Sequence, residues 1–125
     1  MPGKARLIRY PAQPAVIAAI EAWRSWLVDE RRASPHTLDA YGRDMAGFLA
    51  FVADHLGFPP GLEDLGGLTA GDFRGWLARR AGDGLSRAST ARAMSTVRGF
   101  FRFMDRRGGL HNPALAIVRT PRLAK

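Results

Sequence analysis

Cysteine is absent from the 125-residue chain. That excludes disulfides, thiol nucleophiles and thiolate metal sites together, and it suits a reducing, intracellular setting. Lysine is almost absent: of 19 cationic residues, 17 are arginine, and only Lys4 and Lys125 depart from that. No apolar run approaches the roughly 18 residues that a membrane span requires, so no membrane segment is expected. The opening stretch MPGKARLIRYPAQPA is basic but lacks the apolar core of a secretory signal. Alternating polar and apolar residues, the mark of strands, are missing, and so is any internal repeat.

Acidic residues are scarce in one region only. Residues 1–85 hold ten cations and ten acids, whereas residues 86–125 hold nine cations against Asp105 alone. The whole net charge of +8 therefore sits in the last third. A local excess of this kind attracts polyanions, and the planar guanidinium fork suits phosphate or guanine. A G+C-rich genome would also favour arginine over lysine, but it would not cluster the charge. Apolar residues make up 46% of the chain, enough to build the core of one domain.

Helical spacing covers most of what remains. Residues 1–15, with three prolines, read as a flexible leader. Ile17, Ile20, Trp23, Leu27 and Val28 then predict a first helix running to about Arg32. Ser34 followed by Pro35 starts a second, whose stripe is Leu38, Tyr41, Met45, Phe48, Leu49, Val52 and Leu56. Gly57 and Pro59-Pro60-Gly61 end it, and the loop through Gly66-Gly67 is expected to be ordered only by Leu62, Leu65 and Leu68. Thr69 caps a third helix, with Asp72 in its first turn and Phe73, Trp76 and Leu77 inward. A fourth runs from Ser86 to Arg107, roughly 33 Å at about 1.5 Å per residue. A short turn follows at Asn112-Pro113-Ala114-Leu115. The expected fold is all-α: a compact four-helix bundle over residues 16–117, with residues 118–125 as the start of a linker.

The fourth helix divides most sharply. Thr90, Ala93, Met94, Val97, Phe100, Phe101 and Met104 form its core arc, while Arg87, Arg92, Ser95, Arg98, Arg102 and Arg106 form a cationic strip beside it. Ser86, Arg87, Ser89 and Thr90 crowd its first turn, where free N–H groups and the helix dipole favour an anion. Either they clamp a phosphate, or Ser86 simply caps the helix. Thr90, on the apolar side, serves packing as readily as DNA. On the second helix His36, Ala40, Arg43 and Gly47 make a low face that can enter a groove or accept another helix, and Thr37 borders it. Phe51 and Phe103 fall outside their helices' apolar arcs, so they either complete the core or await a protein partner.

Chemistry of catalysis is not visible. Tyr10 lies in the proline-rich leader and Tyr41 in the core stripe of the second helix, and His36, His55 and His111 are far apart with no ligand spacing. No catalytic residue, metal or cofactor is expected in this chain.

Two phrases resemble a known family. Trp26-Leu27, then Ser34-Pro35-His36-Thr37-Leu38, Tyr41, Asp44 and Phe48-Leu49 are similar to the opening of the N-terminal core-binding domain of tyrosine recombinases, the phage-integrase and XerC/XerD group, whose second helix carries the part from Ser34. Ser89-Thr90-Ala91-Arg92, Arg98, Phe100-Phe101 and Met104 resemble that family's fourth-helix phrase. Asn112-Pro113-Ala114 and then Pro121 resemble its exit into an interdomain linker, and Thr120-Pro121-Arg122-Leu123 leans toward the XerC branch. The resemblance implies a SAM-like four-helix bundle forming half of a clamp around a recombination site, with catalysis in a further domain. It implies double-stranded DNA as partner, other recombinase protomers in a tetramer on that DNA, and a cytoplasmic, nucleoid-associated setting. By position, Ser34, His36, Thr37 and Arg43 on one helix and Ser86, Arg87, Ser89, Thr90, Arg92 and Arg98 on the other become the DNA-facing candidates. The competing expectation is a SAM-like protein-interaction module acting in recombinase assembly without touching DNA.

Overall fold

Proline opens the first helix. In the computed structural model, which describes residues 8–120, Pro14 occupies the first turn of α1 (Pro14–Asp29), where its missing N–H costs no hydrogen bond. Residues 1–7, and the 121–125 part of the predicted linker with Pro121, Arg122 and Leu123, lie outside the described residues. The part of the leader that is described packs onto the bundle: Tyr10 and Ala12 rest on the core, and the Gln13 N–H donates to the Pro60 carbonyl at 2.9 Å. Buried Gly42 makes the contact possible, because a Cβ there would meet Ile8 Cδ1 at 2.5 Å and the Tyr10 hydroxyl at 3.1 Å. α1 buries Val16, Ile20, Trp23 and Leu27. It stops at Asp29, before the expected Arg32, and leaves Val28 exposed rather than in the apolar stripe.

α2 (Pro35–Leu56) begins and ends where its caps predict. Ser34 Oγ accepts from the Thr37 N–H at 3.1 Å, and Gly57 closes the helix in the left-handed region at φ 89°. The predicted loop then contains a short helix, α3 (Leu62–Gly66), that the apolar period is too brief to announce. Its start is fixed by the Asp64 carboxylate, which accepts from the Gly61 N–H at 2.8 Å, and Leu65 anchors it in the core. α4 (Ala70–Gly82) and α5 (Arg87–Arg106) follow as the predicted third and fourth helices. A 3-10 turn, Pro113–Ile117, completes the fold; the Asn112 amide donates to the Leu65 and Leu68 carbonyls and ties it to α3. The described residues contain no strand.

The core is an aromatic lattice, which is why these helices hold one arrangement. Trp23 stacks on Tyr41 and meets Phe100 edge-on at 5.6 Å, joining α1, α2 and α5. Phe48 stacks on Phe73 and meets Trp76 edge-on at 5.0 Å, joining α2 to α4. Edge-to-face and offset-stacked contacts of this kind add to simple burial. Phe51 and Phe103 are both buried, so they complete the core.

The start of α4 carries a pH-dependent part of the stability. Asp72 Oδ2 accepts from the Thr69 N–H at 2.8 Å, while the Thr69 hydroxyl accepts from the Asp72 N–H at 3.1 Å. The Thr69 N–H holds the Asp72 carboxyl below its usual value of 3.8, and His55, 2.7 Å away, adds to this. The folded chain therefore releases this proton more readily than the unfolded one. Its contribution is complete above about pH 4 and fades as pH falls through the lower, folded value. Asp72→Ala is expected to cost about 1 kcal/mol at neutral pH. Urea titrations at falling pH should show the gap to the wild type closing in acid.

Candidate nucleic-acid interface

The first turn of α5 is less open than its sequence suggests. Ser86 Oγ accepts from the Ser89 N–H at 3.0 Å, so it acts as the cap. Ser89 and Thr90 are claimed by a residue that no local sequence signal places there. Arg80 of α4 donates from Nη2 to Ser89 Oγ at 2.8 Å and from Nε to Thr90 Oγ1 at 2.9 Å. Thr90 is only 4% exposed and leaves the candidate surface, as its place on the apolar arc had allowed. What faces solvent at this end is Arg87, with half-buried Arg80 behind it. Burial lowers the Arg80 pKa; Asp44 opposes the shift and nearby Arg92 adds to it.

Midway along α5, Arg92 reaches across to α2. Its Nε and Nη2 donate to the two oxygens of Asp44 at 3.0 and 2.8 Å, a bidentate pair. The bond to Asp44 raises the Arg92 pKa further. On α2 Arg43 is paired with Asp39 one turn earlier, and His36 is exposed in the first turn. Ser34 Oγ also donates to Thr37 Oγ1 at 3.0 Å, so both hydroxyls of that turn already have partners.

A cleft of about 430 Å³ opens where α1, α2 and the second half of α5 diverge. Trp23, Trp26, Tyr41 and Phe103 line it, Ser95 and Gly99 narrow one wall, and Thr37 borders it. Arg31, Arg102, Arg106 and Arg107 stand around it, and no carboxylate lines it. Arg107 lies over the Phe103 ring at 3.8 Å and Arg31 over Trp26 at 5.6 Å, so those two are spent on stacking. Arg102 and Arg106 are exposed, one turn apart. Neither has an ion pair or hydrogen bond among the described residues. Arg98 differs: it is half-buried and donates to the Val118 carbonyl and the Thr120 hydroxyl. Its guanidinium holds the exit segment against α5, and burial together with Arg102 lowers its pKa.

The candidates thus fall into groups. Thr37 shares the cleft with Ser95, Arg102 and Arg106, while Ser86 and Arg87 stand at the other end of α5, about 22 Å from Arg102 at about 1.5 Å per residue. Arg92 and Arg43 lie between, each with an acid, and Thr90 and Arg98 are engaged in holding the fold. Arg102 and Arg106 carried a signal in the helical wheel; Arg31 and Arg80 carried none. Among the described residues no group of three or more His, Asp or Glu side chains could hold a metal ion. None of their helices is long and apolar enough to cross a membrane. Tyr41 is stacked on Trp23, and burial pushes the Tyr10 phenol up, only partly offset by Arg24; neither is poised to act as a nucleophile.

Comparison with known proteins agrees with this geometry. The model of the phage integrase N-terminal SAM-like domain matches residues 20–108. The tyrosine recombinase XerC of Rhodospirillum centenum is 52% identical over 122 residues, 98% of this chain and 36% of its own length. Those of Mesorhizobium japonicum and Brucella suis are 40% and 38% identical over 115 residues, 92% of this chain and 37% and 36% of theirs. The chain spans about a third of the length of these relatives. No solved structure matches it.

Proposed function

The chain belongs to the phage integrase N-terminal SAM-like domain family, and from that premise we propose that it grips duplex DNA for a XerC-like site-specific tyrosine recombinase. The observation that carries this is the unneutralised arginine along α5: Arg87 at its start, Arg102 and Arg106 beside a cleft that no carboxylate lines. Exposed guanidinium groups that outnumber the acids around them, here Asp105 alone in residues 86–125, are what a phosphate backbone recruits. Residues 16–117 form the gripping domain and residues 118–125 begin a linker, whose first residues Arg98 ties to α5. In the whole recombinase a separate domain supplies the tyrosine chemistry, four protomers assemble on the recombination site, and the task is DNA recombination of the kind that resolves chromosome dimers, in the cytoplasm at the nucleoid. The contact set is Ser34, His36, Thr37, Arg43, Ser86, Arg87, Ser89 and Arg92, joined by Arg102 and Arg106. The protein-interaction reading loses its two anchors, since Phe51 and Phe103 are buried.

Binding of the 125-residue chain to duplex DNA tests this directly. Log affinity is expected to fall linearly with log salt, with a slope of about −4 to −5 for contact with 4–6 phosphates. Arg87→Ala should weaken binding by roughly 1–2 kcal/mol and flatten the slope by about one. A wild-type chain that ignores DNA at low salt overturns the proposal.

A further inference from the structure

We propose that Asp44 is a positioning residue: from inside the bundle it holds the Arg92 guanidinium ready for a DNA phosphate. The inference rests on the DNA-gripping reading above and goes beyond it. The two residues lie 48 positions apart, each within one of the two phrases that mark the family, and nothing in either phrase says that they meet.

The pair is lopsided in a way that matters. The Asp44 side chain is 5% exposed and that of Arg92 52%. One end of the ion pair is thus anchored in the core while the other reaches the surface. Asp44 takes Nε–H and one Nη2–H, which leaves three of the five guanidinium donors for an outside ligand. The carboxylate is itself held: Thr96 Oγ1 lies 3.0 Å from Asp44 Oδ2, and its single proton is shared between that oxygen and the Arg92 carbonyl. A second cation, Arg80, faces the same group from α4, so Asp44 also tempers the repulsion between two guanidinium groups at this point. Packing alone does not call for a carboxylate here, because an apolar side chain of similar size would fill the site without the cost of desolvating a charge. Ala91 and exposed Ser95, on either side of Arg92, are small enough to let a DNA backbone come close.

A free arginine on a helix surface must give up its rotamers when it binds. One already fixed by a fork gives up far less, so the pair gains affinity by ordering and not by charge.

Charge and order predict opposite results for Asp44→Asn. This change removes a negative charge from a DNA-binding surface, so electrostatics alone makes the variant bind tighter. Positioning makes it bind weaker, by about 3–10-fold at matched salt. In an Arg92→Ala background the same change should have no further effect on DNA affinity, whereas a purely structural role would weaken both backgrounds alike. Should Asp44→Asn fail to fold, Arg92→Lys decides: it keeps the charge and loses the fork, and it should weaken binding by a similar factor. The free wild-type chain should also show a protected Arg92 Nε–H resonance by NMR. Without that resonance the guanidinium is not pre-ordered and the proposal falls, whatever DNA does. Equal or tighter binding by the variants overturns it while leaving the DNA reading intact. A wild-type chain that binds no DNA removes that reading first, and this one with it.

Discussion

Phe48→Ala is expected to lower the stability of the bundle by about 3–5 kcal/mol, the largest loss from any single truncation considered. Phe48 is 1% exposed and sits where α2, α4 and α5 meet. It stacks on Phe73 at 6.0 Å and meets Trp76 and Phe101 edge-on at 5.0 and 6.2 Å. Phe73 and Phe101 also touch each other, so the four rings form one unit whose geometry no alanine can replace. The cavity left behind cannot collapse, because its walls are the rigid rings of Phe73 and Trp76 on α4 and Phe101 on α5. For a domain of this size the loss corresponds to a fall in Tm of roughly 12–20 °C. A stability of about 5–15 kcal/mol leaves little margin for that. Phe58→Ala supplies the contrast: Phe58 is 45% exposed, and its loss should stay within about 0.5 kcal/mol. Thermal and urea unfolding followed by circular dichroism measures both. Near-equal values for the two would mean that the lattice does not hold the helices together.

The helices were legible because their signals are local. Ser34-Pro35, Thr69 with Asp72, and Ser86 each act within one turn, and the structure puts a helix start at every one of them. α3 escaped because five residues are too few to show a period, and its cap comes from Asp64 behind Gly61. The leader's packing escaped because it depends on the absence of a side chain at Gly42, which matters only once Ile8 and Tyr10 lie against it. The site followed the same division. A helical wheel identifies the face on which an arginine sits, and it found the strip on α5. It cannot identify the partner that side chain has already taken. Arg80 with Thr90, Arg92 with Asp44 and Arg98 with Val118 are joined across 10, 48 and 20 positions, and those contacts separate arginines that hold the fold from arginines left over.

The leftover arginines should therefore carry the largest binding effect. Arg102→Glu together with Arg106→Glu is expected to weaken duplex DNA binding at low salt by roughly 3–4 kcal/mol, several-hundredfold, because two attractive contacts become repulsive ones. Neutral replacement of the same pair by glutamine removes attraction without adding repulsion, so it should cost about 10–30-fold. Both differences should shrink as salt rises, since exposed charges are screened over about 10 Å at 0.1 M. Folding is not at stake in the same degree. Both side chains are exposed, and acids in the last turns of α5 oppose the helix dipole by only about 0.3–1 kcal/mol each. Net charge is the rival explanation. Arg9→Glu with Arg74→Glu controls for it, changing the total by the same amount at two exposed positions outside the cleft. Equal losses in the two double variants would mean that DNA responds to the overall positive charge of the chain and has no preferred face. A loss confined to Arg102 and Arg106 would place the phosphate backbone along the second half of α5, beside Thr37, where neither arginine is taken by an ion pair among the described residues.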